Sequence, residues 1–574
     1  MLATVFWTFP FQGSYDFAFS PGGDTAANSG WVDSVMKTMT PDERIGQLLM
    51  LELSGKWKPG DALYDKLEKE VDICHVGGVI FFYGGPAREA ALINRLQSRV
   101  RIPLMVAQDG EWGLSMRLDS VPAYPRNLCL GAVADDGIVY ELGREIGREC
   151  RRLGVNIDFM PCVDIYDNPA NTVIANRSFG SGPLNVARKG CAMMLGMKDE
   201  GIVTTAKHFP GHGNTAVDSH EALPVINDSR ERLDTFDLYP FKYLIKNGVP
   251  GVMVGHLFVP ALESNSTKVP SSISKNVIDG LLKTELGYGG LVFTDALKMK
   301  GVSGSMEGGE VAVRAFEAGV DVLLMPPDGQ KAYNALVAAR NAGRISQADI
   351  DSRCRKILQA KVAMGLHEYK PVALENIYDD LNTSYAASLS RRIYENAVTL
   401  VSNKDTLLPL RGMDGKRIAV VSIGKDAGYT EFESVIERYA QVTKFSLSKS
   451  AAASAFTNLA AQLAGFDVVL VAFHDGSSYP SSFGATAAMV SFIDNLAAKE
   501  RVVLSVFTSP LALTKFKNLD KCSSIVVSYD DSPASREATA HIVMGGKPFL
   551  GHLPVDAGVF KEGTGIHTKA ITIE

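Results

Sequence analysis

The chain has 574 residues, more than one compact hydrophobic core holds, so at least two domains are expected. Hydrophobic residues make up 46% and charged residues 21% of the chain, a globular composition that excludes fibrous and intrinsically disordered proteins. The 58 basic and 64 acidic residues give a net charge of -6 without a Lys/Arg-rich run, so no nucleic-acid partner is expected.

The seven cysteines are scattered without a C-x-x-C pair, which argues against a disulfide framework and against a thiolate zinc site. No apolar run approaches the roughly 20 residues that cross a bilayer, so no membrane span is expected. Residues 1–30 begin with an apolar, aromatic stretch that lacks a preceding Lys or Arg and is interrupted by Pro10. This stretch is typical of an arm packed on the protein rather than of a leader remnant. The compartment stays open, with an extracytoplasmic or periplasmic location slightly favoured over a cytoplasmic one.

Residues 31–366 alternate short apolar runs with amphipathic segments of helical length, such as 137–153 and 311–318. This alternation is typical of repeated βα units on a parallel sheet. Eight strands are predicted, the number that closes a (β/α)8 barrel. They are 45–53, 77–83, 102–108, 156–165, 202–208, 251–257, 290–294 and 320–325.

The alternation breaks at Gly365 and Pro371, and a new helical run begins near Tyr385. We therefore predict a linker over 367–384 and a second domain over 385–574. Its buried-strand candidates are 417–423, 467–473, 502–508 and 524–529, with a helical segment at 457–464. This pattern predicts a smaller α/β sandwich after the barrel.

Three of the ten histidines fall in the segment KHFPGHGNTAVDSH, which runs from Lys207 to His220 at the end of the fifth predicted strand. Pro210 and two glycines forbid a regular helix there. Barrel enzymes place their catalytic groups where strands end and loops begin. The segment is therefore the first candidate for a functional site.

Asp218 and His220 are two residues apart, which in extended backbone puts both side chains on one face. A carboxylate there would accept a proton from one imidazole nitrogen and leave the other nitrogen for proton transfer. The alternative is a capped turn with a surface histidine. The two neighbouring histidines favour the acid/base interpretation.

Other polar residues follow predicted strands. Asp295 follows the seventh strand and is either a catalytic carboxylate or the N-cap of the next helix. Acidic and guanidinium groups at the mouth of one barrel indicate a ligand with many hydroxyls, although each group could also belong to a surface ion pair. These groups follow the third and fourth strands and are Asp109, Glu111, Arg117 and Arg177.

With these residues in place, the sequence resembles glycoside hydrolase family 3 in its β-N-acetylglucosaminidase branch, through K-H-F-P-G-H-G at 207–213 and D-S-H at 218–220. The resemblance covers the barrel and, more weakly, the second domain. After D-Q-E the family usually has two glycines and an arginine, whereas here Gly110, Trp112 and Leu114 interrupt that pattern. Ala175 also departs from the family's usual residues before R-S-F-G.

The resemblance implies a retaining exo-β-N-acetylglucosaminidase that acts by double displacement on cell-wall muropeptides or chitooligosaccharides. It implies Asp295 as nucleophile, His220 as acid/base and Asp218 as the dyad partner of His220. It further implies that the terminal sugar is held by Asp109, Arg117, Arg177, Lys207 and His208. No metal or organic cofactor is expected, the oligosaccharide substrate is the expected partner, and the oligomeric state is left open.

Three alternatives remain. One is a family 3 β-glycosidase or phosphorylase of other specificity. The second is a metal-dependent hydrolase with His208, His212, His220 and Asp218 as ligands, although Pro210 and the glycines interrupt the helical spacing that H-x3-H would need. The third is a sugar-binding protein without turnover, in which Asp295 only caps a helix.

Overall fold

The computed structural model describes residues 25–215, 222–263, 268–303, 306, 309–424, 429–474 and 483–571. Within these residues the chain forms two sheets, an eight-stranded one followed by a six-stranded one. No helix in this described part is both long enough and apolar enough to span a membrane.

The first sheet is all parallel, with the strand order β7-β6-β5-β4-β3-β2-β1-β8. A parallel bridge between Phe293 and Val322 joins its two ends, so the sheet closes into a barrel. Its strands are β1 Leu49–Ser54, β2 Gly78–Phe82, β3 Met105–Gln108, β4 Ile157–Asp158, β5 Val203–Phe209, β6 Gly251–Val254, β7 Leu291–Thr294 and β8 Leu323–Leu324. The predicted barrel is confirmed.

The fourth strand is much shorter than the predicted 156–165, for a local reason. It ends at Asp158, and Pro161 follows shortly after. Proline has no backbone N–H to donate to a neighbouring strand. Pairing resumes only as an isolated bridge between Cys162 and Lys207.

Helices surround the barrel, and their ends carry the expected signals. The longest, α6, begins after Asp135, whose side chain accepts from Gly137 N, and ends at Gly154 with a left-handed φ of 78°. The helices are α1 Thr25–Thr38, α2 Pro41–Gly46, α3 Ala62–Cys74, α4 Pro86–Gln97, α5 Asn127–Gly131, α6 Asp136–Leu153, α7 Pro183–Asp199, α8 Arg230–Arg232, α9 Tyr239–Lys246, α10 Lys300–Ser303, α11 Glu310–Ala318, α12 Gly329–Asn341 and α13 Gln347–Ala363. Two π-helical segments, Leu233–Asp237 and Asn276–Glu285, and the 3-10 turns Leu114–Met116, Ala175–Arg177, Ser271–Ile273 and Leu366–Glu368 complete this part.

The second sheet has the order β11-β10-β12-β13-β14-β9 and is parallel except for β9. Four strands match the sequence prediction, but β9 and β11 were missed. Both are edge strands, and an edge strand such as the half-exposed β11 needs no continuous apolar run. The strands are β9 Thr399–Asn403, β10 Ile418–Gly424, β11 Val442–Ser448, β12 Val468–His474, β13 Val502–Phe507 and β14 Ser524–Val527.

The helices of this second part are α14 Ile377–Leu381, α15 Ser384–Ala397, α16 Glu431–Ile436, α17 Ala453–Gln462, α18 Ala487–Ala497 and α19 Pro533–Val543, with 3-10 turns at Lys404–Thr406, Pro510–Lys515 and Leu519–Lys521. Helices α16 and α19 pack on one face of the second sheet and α17 and α18 on the other, as expected for an open α/β sheet. The segment predicted as a linker contains α14, which packs on α4 and α6 of the barrel. In the predicted arm, residues 1–24 lie outside the described residues, and α1 runs across the predicted boundary at residue 30.

Hydrophobic packing joins the two sheets. One cluster of buried residues includes Ile157 inside the barrel, Val471 in the second sheet and Leu553 near the end of the chain. Backbone hydrogen bonds also cross between the parts, from His552 N to Ala132 O and from Ser181 N to Pro554 O. The second part is therefore fixed on one flank of the barrel.

Candidate active site

A cavity of about 520 Å³ opens at the carboxyl ends of the barrel strands. Loops from every strand converge at this end of a (β/α)8 barrel, where its chemistry is placed. A second cavity, of about 420 Å³, is lined by residues that precede β1, β2 and β3 at the opposite end, and no predicted site residue lines it. Six of the predicted side chains line the first cavity: Asp109, Arg117, Arg177, Lys207, His208 and Asp295.

Lys207 is the centre of a buried ion network in the floor of the cavity. Its Nζ lies 2.9 Å from Asp109 Oδ1 and 2.8 Å from Glu111 Oε1. Arg117 pairs with the other oxygen of Asp109 at 2.5 Å, and Arg177 holds both oxygens of Glu111. Buried charges are stable only when paired in this way, and the pairing fixes where each donor points.

The network keeps its members charged. Burial alone would raise the pKa of Asp109, but the positive charges of Lys207 and Arg117 lower it to about 2. Burial would likewise raise the pKa of Glu111, and Arg177 and Lys207 hold it well below its ordinary value. The floor therefore presents fixed charges and charge-assisted hydrogen-bond donors, which suit the hydroxyl and amide groups of a sugar.

His208 is held between two groups that decide which ring nitrogen carries its proton. Arg177 approaches Nε2 at 3.3 Å, and a guanidinium only donates, so this nitrogen accepts. Nδ1 then carries the proton and donates to Asp164 Oδ2 at 2.6 Å. Asp164 also accepts from the backbone N–H of His212 at 2.7 Å. Burial would raise the pKa of Asp164, but His208 and His212 beside it lower it to about 2.

Asp295 follows β7 and points into the cavity. Its Oδ1 accepts from the N–H of Ala296 at 2.7 Å. The next helix, α10, begins only at Lys300, so Asp295 does not occupy its N-cap position. Burial would raise the pKa of Asp295, but the net shift is downward because His256, His208, the Ala296 N–H and Lys207 stabilise the anion. An ionised carboxylate at a cavity wall can act as a nucleophile.

Asp218 and His220, the predicted acid/base dyad, lie outside the described residues. The chain that leads to them is anchored at the cavity. His212 lines the cavity, and its Nδ1 lies 2.9 Å from Thr215 Oγ1. The Asn171 amide donates to the carbonyl of His212 at 2.8 Å. Thr215, the last described residue before them, is thus held against a residue of the cavity wall.

For the metal-dependent alternative, the structure brings together a different set of possible metal ligands from the set that the sequence predicted. In the described part of the chain, the ligand atoms of Cys162, Asp164 and His208 lie within 4.8 Å of one another. His212 is not among them, and Asp218 and His220 lie outside the described residues. Both ring nitrogens of His208 already face Asp164 and Arg177. A guanidinium beside Nε2 disfavours a cation at that atom.

Two residues of the site were missed in the sequence. Asp164 orients His208, and the only signal for it was an aspartate within the largely apolar run 156–165 that was predicted as the fourth strand. His256 lies after β6, where its Nε2 donates to Ala296 O at 3.0 Å, next to Asp295. Its signal was a histidine near the end of the run 251–257 that was predicted as the sixth strand.

Comparison with known proteins shows the family to which the chain belongs. The family model described as Glycosyl hydrolase family 3 N terminal domain matches residues 40–360. "Beta-hexosaminidase A" of Pseudoalteromonas piscicida is 32% identical over 415 residues, which cover 65% of this chain and 69% of the relative. "Beta-N-acetylglucosaminidase/beta-glucosidase" of Cellulomonas fimi is 26% identical over 553 residues, covering 92% and 95%. A solved family 3 β-N-acetylglucosaminidase from Paenibacillus sp. has a TM-score of 0.75 at 32% identity, covering 91% of this chain and all of its own.

Proposed function

Since the chain belongs to glycoside hydrolase family 3 and is a glycoside hydrolase, we propose that it is a retaining exo-β-N-acetylglucosaminidase. Its proposed substrates are chitooligosaccharides or cell-wall muropeptides that end in N-acetylglucosamine. The observation that carries this proposal is the cavity in which Asp295 faces a floor of paired charges. The names of the β-hexosaminidase relatives support the same sugar.

Asp295 is the proposed nucleophile. One of its oxygens bonds to the anomeric carbon while the bond from that carbon to the leaving oxygen breaks, which gives a covalent glycosyl-enzyme. The lowered pKa of Asp295 supports this role because the carboxylate is ionised at neutral pH. Its hydrogen bond from Ala296 N orients the carboxylate before the substrate arrives.

His220 is the proposed acid/base, oriented by Asp218. It donates a proton to the leaving oxygen in the first step and takes a proton from water in the second step. The water then bonds to the anomeric carbon and releases Asp295, so the configuration at that carbon is retained. The position of His212 in the cavity wall, and its contact with Thr215 three residues before Asp218, support this assignment.

The ion network is the proposed subsite for the terminal sugar. Asp109, Lys207 and Arg177 line the cavity, and their ion pairs fix their polar groups before binding. His208 and Arg117 complete the set. Hydrogen bonds from charged donors strengthen as positive charge develops on the sugar ring.

A panel of aryl β-glycosides tests the function. We expect the N-acetylglucosaminide to be cleaved with a higher kcat/KM than the glucoside or the xyloside, and proton NMR to show the β anomer as the first product. The Asp295→Ala variant should lose turnover by several orders of magnitude while remaining folded. A preference for the glucoside would favour the second activity in the name of the Cellulomonas fimi relative.

The same panel with added phosphate tests the phosphorylase alternative. We expect free N-acetylglucosamine with and without phosphate. A sugar phosphate as the main product would contradict hydrolysis.

Activity that is lost to a chelator and restored by a divalent cation would instead support the metal-dependent alternative.

A further inference from the structure

The described residues that line the cavity include an aromatic side chain, Trp112, to which the mechanism above gives no role. Trp112 lies in the loop after β3 and is only partly buried. Gly113 follows it with a φ of 80°, and a Cβ there would come within 2.7 Å of the Tyr124 ring. Only glycine fits that turn, so the backbone next to Trp112 is strictly defined.

A cation is fixed against the indole ring. The guanidinium carbon of Arg126 lies 4.7 Å from the centre of the Trp112 ring. Arg126 directly precedes α5, and α5 packs against α15 of the second part of the chain. Burial raises the pKa of Asp530, after β14, and the positive charge of Arg126 counteracts that increase. Arg126 therefore lies between the cavity wall and the second sheet.

The residues that line the cavity differ in their exposure. Lys207 and His208 are 2% and 6% exposed, whereas Tyr83 is 47% exposed. Trp112 is intermediate between these groups. In the proposed exo mode of action, the terminal sugar lies against the buried residues of the cavity and the next sugar lies nearer to the exposed ones.

We propose that Trp112 is the platform on which the leaving-side sugar of the substrate stacks, and that the second sheet holds this platform in place through Arg126. An indole ring is a large, rigid apolar surface, and the C–H face of a sugar ring packs well on it. The cation over the ring restricts its rotation. This inference rests on the proposed exo-glycosidase function, and it makes the second sheet part of substrate selection.

Steady-state kinetics with di-N-acetylchitobiose, and inhibition by free N-acetylglucosamine, test the proposal. We expect Trp112→Ala to raise KM for the disaccharide about tenfold, the size of a lost stacking contact. The monosaccharide occupies only the floor, so its inhibition constant should change less than about twofold. Trp112→Phe should restore most of the affinity. An unchanged KM for the disaccharide, or an equal loss of affinity for the monosaccharide, would overturn the proposal that Trp112 is a stacking platform.

Arg126→Gln tests the connection to the second sheet. We expect it to raise KM for the disaccharide about threefold, because the ring loses its fixed partner. The matched control is Arg417→Gln, which removes a cation 4.8 Å from the Phe466 ring in the second part and should leave KM unchanged. Wild-type KM in Arg126→Gln would overturn the role of the second sheet.

A binding measurement covers the case in which Trp112→Ala does not fold. The chain has four tryptophans. In an Asp295→Asn background, di-N-acetylchitobiose should change the indole fluorescence, and Trp112→Phe should abolish that change while Trp57→Phe keeps it. A change that persists in Trp112→Phe would overturn the proposal. If the wild type cleaves glucosides instead, the proposed sugar is wrong, and cellobiose with glucose then tests Trp112 in the same way.

Discussion

At the scale of single residues, the charge state of Asp295 is set by neighbours that are distant in sequence. His256, after β6, donates to the carbonyl of Ala296, and its electrostatic effect is the largest of those that lower the pKa of Asp295 against burial. His208 and Lys207 add to it from β5. Asp295, the proposed nucleophile, is thus kept ionised by residues from two other strands, β5 and β6.

His256→Gln tests this electrostatic role through the pH profile. A nucleophile must be ionised, so kcat/KM is lost as the pH falls through its pKa. We expect the acid limb of the wild type to lie below the ordinary pKa of an aspartic acid, about 3.9. His256→Gln should move that limb to higher pH, because it removes the largest lowering effect. If the pH profiles of the variant and the wild type superimpose, His256 does not lower the pKa of the nucleophile.

His220→Ala tests the proposed acid/base. A substrate with a poor leaving group needs a proton in the first step, whereas an activated aryl glycoside does not. We expect the variant to lose far more kcat/KM on di-N-acetylchitobiose than on a dinitrophenyl glycoside. Equal losses on both substrates would assign His220 a merely structural role. His367→Ala, a histidine on the 3-10 turn Leu366–Glu368, is the control and should leave both rates unchanged.

At the scale of elements, α4 meets β3 through a buried carboxyl. Glu89 on α4 is fully buried, and Gln108 at the end of β3 donates to its Oε2 at 3.4 Å. Burial raises the pKa of Glu89 to about 8. Burial outweighs the hydrogen bond from Gln108, which by itself would lower the pKa, so the side chain is protonated at neutral pH and its ionisation at higher pH costs stability.

Glu89→Gln tests that contact. The pKa of Glu89 in the folded state exceeds its value in the unfolded chain, so its contribution to stability is fully present below about pH 4.5 and is lost as the pH rises through about 8. Glutamine does not titrate. We expect the variant to gain stability relative to the wild type between pH 5 and pH 9, by at most about 5 kcal/mol. Urea unfolding at pH 5 and at pH 9 measures the difference in stability between variant and wild type. The control is Glu375→Gln, at an exposed position, for which this difference should not change with pH.

At the scale of the whole molecule, the two sheets share one hydrophobic cluster, and the second part contacts the segment that carries Arg126. A continuous core favours cooperative unfolding of both parts. The seven cysteines report on it, because all of them are buried and free. Burial also raises the pKa of Cys522, in the second part, to about 12, so its thiol is unreactive in the folded protein.

Thiol labelling across a urea series tests this cooperativity. We expect no labelling in the native protein, and modification of Cys522 at the same urea concentration as the six barrel cysteines. Mass spectrometry of the labelled peptides resolves the sites. Labelling of Cys522 at lower urea than Cys150 and Cys354, in α6 and α13, would show that the second part unfolds independently.

Local patterns predicted much of this molecule. The strands of the barrel were readable because both faces of the sheet are buried, so strands such as β2, β6 and β7 are short apolar runs. The edge strands β9 and β11 were not, since an edge strand can carry polar residues. The strand-end positions of Asp109, Lys207 and Asp295 were also readable, because barrel topology brings the strand ends to one mouth.

The sequence by itself determined the alternation of strands and helices, and with it the barrel, the family and the residue types at the mouth. Only the tertiary structure decided which charges are paired, that Asp164 and His256 belong to the site, and that Arg126 lies between Trp112 and the second sheet. The physical reason is distance along the chain. Periodicity reports on neighbours within a few residues, whereas ion pairs and pKa shifts arise between groups that only the closed barrel brings within a few ångströms.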